Sequence, residues 1–160
     1  MYTRSDRWSE ARRCFEQVLL LDPKHENGQK NLALACQKGG DWKGAAKAWQ
    51  AVLEHEKDGY AAQSLAWILA TAPDDSLRDG KEALLWARRA AGILKDDPEA
   101  LDVLAAAFAE SGKWKDAILT DKRAIEAAEK AGADDAARRY AEHQKSYREK
   151  RAWRDAPAAK

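Results

Sequence analysis

A repeated unit of about 34 residues is the feature that most limits how this chain can fold. Its most regular position is a small residue that recurs at intervals of 34, 38 and 34 residues: Ala11, Ala45, Ala83 and Ala117. Three residues earlier, the units carry Trp8, Trp42, Gly80 and Trp114. A small side chain lets a neighbouring helix approach closely, and a large one nearby fills the space beside it. Because one such unit cannot bury its own apolar face, the pattern predicts helix pairs that stack on one another.

The period and its alternation of small and large residues resemble the tetratricopeptide repeat (TPR) family. The resemblance covers about residues 1 to 131 and implies an all-α fold, a right-handed α-solenoid of helix–turn–helix repeats with a C-terminal capping helix. Extra residues between Trp67 and Ala83 are similar to a subtype found in bacterial TPR proteins. Asp121 stands where a large apolar residue is expected, so we predict that the fourth unit is an end unit with a solvated outer face.

Capping residues and helix breakers divide the chain further. We predict a single repeat domain over residues 1–153, made of a partial first repeat over about 1–25, repeats over 26–58, 59–97 and 98–131, and a capping helix over 134–153. The third repeat is extended by a loop around Pro73. Residues 154–160 are predicted to form a flexible tail. The first unit has only its second helix, which suggests either a natural edge or a piece of a longer protein.

Composition argues against several classes of protein. The net charge is only +1 although 34% of the residues are charged, whereas nucleic-acid and membrane-surface proteins usually show a basic excess. No run of 18 apolar residues predicts membrane insertion, and no apolar stretch near the N-terminus predicts a signal peptide. The cytoplasm is therefore the default compartment. Cys14 and Cys36 form no CxxC pair, and we interpret both as small buried thiols outside any disulfide.

The sequence contains no pattern that predicts catalysis. The three histidines, His25, His55 and His143, lack the i, i+4 spacing that favours metal binding on a helix. Paired aspartates at 74–75 and 96–97 precede helices, where carboxylates cap free N–H groups. We therefore predict no enzyme activity, no metal site and no cofactor.

The TPR resemblance implies a concave groove lined by the first helix of each unit. Helical phase places these residues on it: Asn27, Lys30, Asn31, Leu34, Gln37, Lys38, Tyr60, Gln63, Ser64, Trp67, Glu99, Asp102, Ala106 and Glu110. Such a groove is basic at one end, aromatic at Trp67 and acidic at the other end. We expect a partner peptide or helix whose basic part lies near Asp102 and Glu110. Trp67 is either a packing residue or an anchor for the partner.

The predicted function is a protein–protein interaction scaffold that binds a peptide or helix of a partner protein. Two alternatives remain open. One is a non-catalytic TPR tail of a larger bacterial enzyme, such as a membrane-associated glycosyltransferase. The other is self-association into a homo-oligomer through the N-terminal edge, where Trp8, Phe15 and Val18 form an apolar flank.

Overall fold

The computed structural model describes residues 4–25 and 27–156. Within them the chain forms eight α-helices, one 3-10 turn at Asp75–Leu77 and no strand. The helices are α1 Arg4–Leu21, α2 Gly28–Gly39, α3 Trp42–His55, α4 Gly59–Thr71, α5 Gly80–Ile93, α6 Pro98–Glu110, α7 Trp114–Lys130 and α8 Asp134–Arg148. The predicted all-α class is confirmed.

The described chain divides into two compact units. Helices α1–α3 belong to the first unit, and the second runs from Asp58 to Asp155. In the first unit, α2 packs against both α1 and α3. In the second, α6 packs against α4, α5, α7 and α8. The grouping of residues 1–153 into one domain stays a prediction.

Turn and cap residues explain where the helices of the first unit begin and end. Gly40 follows α2 in the left-handed conformation, with a φ of 78° that glycine adopts without strain. Asp41 then caps α3, because its side chain accepts a hydrogen bond from the backbone N–H of Gly44. Arg12 of α1 binds the same carboxylate at 2.8 Å. The cap of α3 is thereby joined to α1.

The repeated alanines mark places where helices pack closely. Ala45, Ala83 and Ala117 have no exposed surface, and Ala11 is half-buried. Larger side chains surround the small ones, with Leu65 and Ile68 of α4 fully buried in the second unit. This is the packing of small against large side chains that the repeat predicts.

Gly80 departs from the repeat because the C-terminal end of α6 lies against the start of α5. A Cβ atom at position 80 would lie 2.9 Å from Oγ of Ser111 and 3.0 Å from the carbonyl carbon of Glu110. The Ser111 hydroxyl also donates a hydrogen bond to the Gly80 carbonyl at 2.8 Å. The other units place a tryptophan at this position, and here no room exists for one.

Three expectations about the second half of the chain and the thiols are corrected. Helix α8 ends at Arg148 and not near Trp153, because the backbone turns at Lys150, whose φ is 55°. Asp121 is fully buried and α8 packs on α7, so the fourth unit has no solvated outer face there. Cys36 is buried as expected, but Cys14 is exposed.

Candidate functional site

The residues that follow α8 fold back onto α4 and are not a free end. We call residues 149–155 the tail segment. The backbone N–H of Asp155 donates to the carbonyl of Thr71 at 2.9 Å, at the C-terminal end of α4. The indole N–H of Trp67 donates to Oδ2 of Asp155 at 2.6 Å, and the Thr71 hydroxyl lies 3.5 Å from the same oxygen. The prediction of a flexible tail is therefore wrong for Arg154 and Asp155, while residues 157–160 lie outside the described residues.

Arg154 ties the tail segment to α6. Its Nη1 lies 2.7 Å from Oε2 of Glu110 and 3.3 Å from the carbonyl oxygen of Ala70. The Glu110 side chain is only 14% exposed, and its other oxygen lies 3.3 Å from Nε of Arg78. Arg78 in turn donates to the carbonyl of Ala72 at 2.6 Å. Glu110 is thus held between two guanidinium groups.

Trp153 joins the tail segment to α8. Its ring lies 4.4 Å from the ring of His143, centroid to centroid, at a tilt of 47°. The ring centroid of Trp67 lies 5.6 Å from the centroid of the same imidazole. His143 is buried, and its Nδ1 lies 2.8 Å from Oδ1 of Asp102 on α6. Side chains of α4, α6 and α8 therefore meet around three successive residues of the tail, and we call this surface the tail-binding face: Trp67, Thr71, Glu110 and His143.

A buried polar cluster lies beneath this face. Burial raises the pKa of the Asp102 carboxyl, and burial together with the Asp102 charge raises the pKa of Asp121. Burial lowers the pKa of His143 to about 4, so its imidazole is neutral. Among the described residues neither oxygen of Asp121 meets a donor, which favours its protonated form. Protonated Asp121 can donate to Asp102, which then also accepts the Nδ1 proton of His143.

Two acids and a histidine could suggest acid–base chemistry, but these groups are closed to solvent. Asp102 is 3% exposed, and Asp121 and His143 are buried as well. A catalytic acid or base must lie within hydrogen-bond reach of a substrate. In the described chain no three histidine, cysteine or carboxylate side chains converge in a way that could hold a metal ion. The cluster therefore supports packing of α6, α7 and α8.

The predicted groove residues of the second unit fall into two groups. Gln63, Asp102 and Ala106 are buried, so the expectation that they line an open groove is wrong. At Asp102 the cover comes from α8, whose His143 Nδ1 lies 2.8 Å from the Asp102 carboxylate. The remaining members are accessible to different degrees, with Tyr60 and Glu99 exposed and Ser64, Trp67 and Glu110 half-buried. As partner-binding residues these five remain predictions.

The predicted groove residues of the first unit lie on α2 and just before it. The exposed ones are Asn27, Leu34 and Lys38, and the half-buried ones are Lys30, Asn31 and Gln37. Two of them already have partners, because Lys30 lies 2.8 Å from Glu56 and the Gln37 side chain accepts a hydrogen bond from the indole of Trp49 at 3.1 Å. Asn27 and Lys30 also line a groove of about 490 Å³ between the start of α2 and the end of α3. Their role in partner binding stays a prediction.

Sequence reasoning missed five residues of the contact between the tail segment and the tail-binding face: Thr71, His143, Trp153, Arg154 and Asp155. One signal was available, because Trp153 is a large aromatic residue in an otherwise charged stretch. Such a residue at a chain end is better explained by burial than by solvent exposure.

No helix in the described part of the chain has the length and apolar character needed to cross a membrane.

Comparison with known structures identifies the fold. The chain is similar to the crystal structure of MamA, with a TM-score of 0.66 and 18% sequence identity over 94% of this chain and 95% of that chain. No protein-family model matches the sequence, and no curated protein sequence matches it either. MamA contains tetratricopeptide repeats. The likeness therefore confirms the all-α, TPR-type fold of helix–turn–helix repeats that the 34-residue period predicts.

Proposed function

We propose that this protein is a non-catalytic interaction scaffold and that it binds an unstructured peptide of a partner protein on the tail-binding face. The observation that carries the proposal is the tail segment itself, a non-helical stretch in which the side chains of Trp153, Arg154 and Asp155 and the backbone N–H of Asp155 all contact this face. Proteins of this repeat architecture commonly bind peptides on surfaces built by successive helices.

The chemistry of the face suits a peptide. The carbonyl of Thr71 belongs to the last turn of α4, where carbonyl groups have no partner inside the helix. It accepts a backbone N–H, which every peptide offers except at proline. Trp67 supplies a donor and Glu110 supplies a carboxylate. These groups can bind a peptide through one backbone N–H and through two charged side chains, one acidic and one basic.

The basic part of the partner was expected near Asp102 and Glu110, and we now propose that it binds Glu110 alone. Asp102 is buried against His143 and has no surface to offer. Glu110 contacts a guanidinium of the tail segment, which supports its role as an acceptor for a basic side chain. Charge-assisted pairs of this kind are among the stronger polar contacts in proteins.

A capture experiment with the full chain tests the function. The bait is the wild type or a variant with both Trp67→Phe and Glu110→Gln, and native lysate supplies the partners. We expect the variant to lose a partner that the wild type retains, while Glu129→Gln, an exposed change on α7 outside the predicted groove residues, retains it. A partner retained by all three baits would place the binding surface elsewhere.

Self-association is a second candidate, favoured by the apolar end of α1. Leu20 is 73% exposed and Leu21 is 89% exposed, and Phe15 and Val18 on the same helix are half-buried. Large exposed apolar side chains often mark protein contacts. If α1 pairs with a second copy, Phe15→Glu and the more exposed Leu20→Lys both reduce the solution mass to that of one chain. A wild type that already has the mass of one chain contradicts this candidate.

A role as the non-catalytic part of a larger bacterial enzyme stays a prediction from the TPR resemblance.

A further inference from the structure

Three consecutive tail residues enter three chemically different contacts on the tail-binding face. Trp153 lies on the imidazole of His143, Arg154 pairs with Glu110, and Asp155 accepts from the indole of Trp67. A chain end that collapses without specificity buries apolar atoms wherever space allows. Here each side chain meets a partner of matching chemistry, and the Asp155 amide adds a backbone hydrogen bond.

From this match we infer that the tail segment is a ligand in cis, and that the partner peptide carries the same order of side chains: an aromatic residue, an arginine and an aspartate. The inference rests on the proposed function, because it names the ligand of the same face. It adds that the chain occupies its own binding site until such a peptide displaces the tail.

The contact groups are held in place by the folded protein. Arg78 holds Glu110, and Arg78 is itself anchored on the carbonyl of Ala72. The Thr71 hydroxyl donates to the carbonyl of Trp67 at 2.8 Å, and Asp102 orients His143. Groups that are already oriented lose little freedom when a ligand binds. The face can therefore accept a peptide with the chemistry of the tail without rearrangement of its helices.

The tail is held in a way that permits exchange. Burial raises the pKa of Asp155 although the Trp67 indole opposes that shift, so placing this carboxylate on α4 has a desolvation cost. The Arg154 side chain is 38% exposed, which exposes its ion pair to solvent and salt. No disulfide joins the tail to the face, since both cysteines are free thiols in the first unit.

A ligand that belongs to the same chain weakens the binding of every competing peptide, and the factor can be calculated. A short tether gives an effective concentration on the order of 1 mM. If the tail alone binds with a Kd of about 0.1 mM, the face is open in about one molecule in ten. The apparent Kd of an added peptide is then about tenfold higher than that of an unoccupied face.

The test measures binding of a fluorescent peptide with the sequence of residues 149–156 to the full chain. Three proteins are compared: the wild type, Arg154→Ala and Arg151→Ala. Arg151 is the matched control, because it is the same residue type in the same segment and its side chain reaches Glu149 and not the face. Loss of the arginine weakens the tail about tenfold, so the face is open in about half of the Arg154→Ala molecules. We therefore expect Arg154→Ala to bind the peptide about fivefold more tightly than the wild type. Arg151→Ala should match the wild type.

A second comparison tests the ligand chemistry. A peptide that carries alanine at the position of Arg154 should bind the Arg154→Ala protein about tenfold more weakly than the unchanged peptide, which corresponds to one lost charge-assisted pair. In a protein with both Arg154→Ala and Glu110→Gln, the two peptides should bind alike. This coupling identifies Glu110 as the group that reads the arginine. Circular dichroism of each variant confirms that its helices are intact.

Each outcome decides one part of the inference. Equal affinities for the wild type and Arg154→Ala overturn occupation in cis. A folded Arg154→Ala protein that does not bind the peptide overturns the aromatic–arginine–aspartate ligand. If that protein still captures a partner that depends on Trp67 and Glu110, the scaffold function stands with a different ligand. If it captures none, the proposed function fails as well.

Discussion

The indole N–H of Trp67 donates a hydrogen bond to Oδ2 of Asp155 at 2.6 Å, across 88 residues of sequence. Trp67 was expected to be either a packing residue or an anchor for a binding partner. Its ring packs against His143 while its N–H holds the tail segment. Its role as an anchor for a binding partner stays a prediction. Four predictions rest on such contacts, and they concern Trp67, the buried acid pair, two glycines of α5 and the two thiols.

The first prediction concerns how firmly Trp67 holds the tail. Trp67→Phe removes the donor and retains an aromatic ring against His143. A hydrogen bond to a charged group contributes about 1.5–3 kcal/mol, so we expect the Asp155 amide to exchange its hydrogen at least about tenfold faster. Hydrogen exchange measures this. Trp86→Phe is the matched control, because Trp86 is half-buried on α5 and its N–H reaches Glu82. Unchanged exchange at Asp155 would contradict the assigned bond.

The second prediction concerns pH and the buried acid pair. Burial raises the pKa of Asp102 and Asp121 above the ordinary carboxyl range, and it lowers that of His143 to about 4. Between about pH 4 and 6.5, folding retains a proton on the acid pair and releases one from His143, so the two effects oppose each other. Above pH 6.5 the unfolded histidine is also neutral, and only the acid pair contributes.

Stability should therefore fall as the pH rises above 6.5. The folded protein retains a proton that the unfolded carboxyl groups have released, and the free energy of unfolding decreases by up to about 1.4 kcal/mol per pH unit. Urea titrations at pH 6.5, 7.25 and 8 measure the slope. Asp121→Asn mimics the protonated carboxyl and should flatten it, whereas the exposed Asp135→Asn should leave it unchanged. A slope that persists in Asp121→Asn would show that the pair does not hold the proton.

The third prediction compares two glycines of α5. Gly80→Ala places a Cβ atom 3.0 Å from the backbone of Glu110, which cannot move without shifting the end of α6. We expect a loss of about 1–3 kcal/mol in the free energy of unfolding. Gly92 has open space around its Cβ position, so Gly92→Ala should stabilise α5 by about 0.5–1 kcal/mol. Thermal and urea unfolding measure both, and equal effects would contradict the close approach of α6 to α5.

The fourth prediction concerns the reactivity of the two thiols. Burial, with the nearby Asp41 charge, raises the pKa of Cys36 to about 11. At pH 8 only about 0.1% of such a thiol is in the reactive thiolate form. Cys14 is exposed. Ellman's reagent should therefore titrate one thiol quickly, Cys14→Ser should abolish the fast phase, and urea should release the second thiol. Two fast thiols in the folded protein would show that Cys36 is accessible.

Much of the helical architecture could be predicted because its signals are local. The alanine period, the cap at Asp41 and the glycine after α2 act within one or two turns of chain, and each lies where the sequence pattern predicts it. The end of α8 was placed too late, because the charged stretch after Arg148 has no proline or glycine to mark a stop. The residue with the left-handed backbone there is Lys150, and a lysine in the sequence does not predict a turn.

The binding face could be predicted only in part. Helical phase predicted that Trp67, Asp102 and Glu110 lie on the groove side of their helices. In the structure Trp67 contacts Asp155, Asp102 contacts His143, and Glu110 contacts Arg154. Phase cannot tell an open face from a covered one, because the cover comes from elsewhere in the chain. Asp121 was predicted to lie on a solvated face because the sequence does not show that another part of the chain covers it, and it is buried in the structure.

By itself the sequence determined the repeat, the positions of the helices and the small residues at which they pack, because periodicity, caps and side-chain size act over short distances along the chain. The tertiary structure alone decided which charged residues are buried and which are paired. Asp102 meets His143 across 41 residues, and Asp155 meets Trp67 across 88. Desolvation of a charge depends on every group that surrounds it in space, and no local pattern in the chain carries that information.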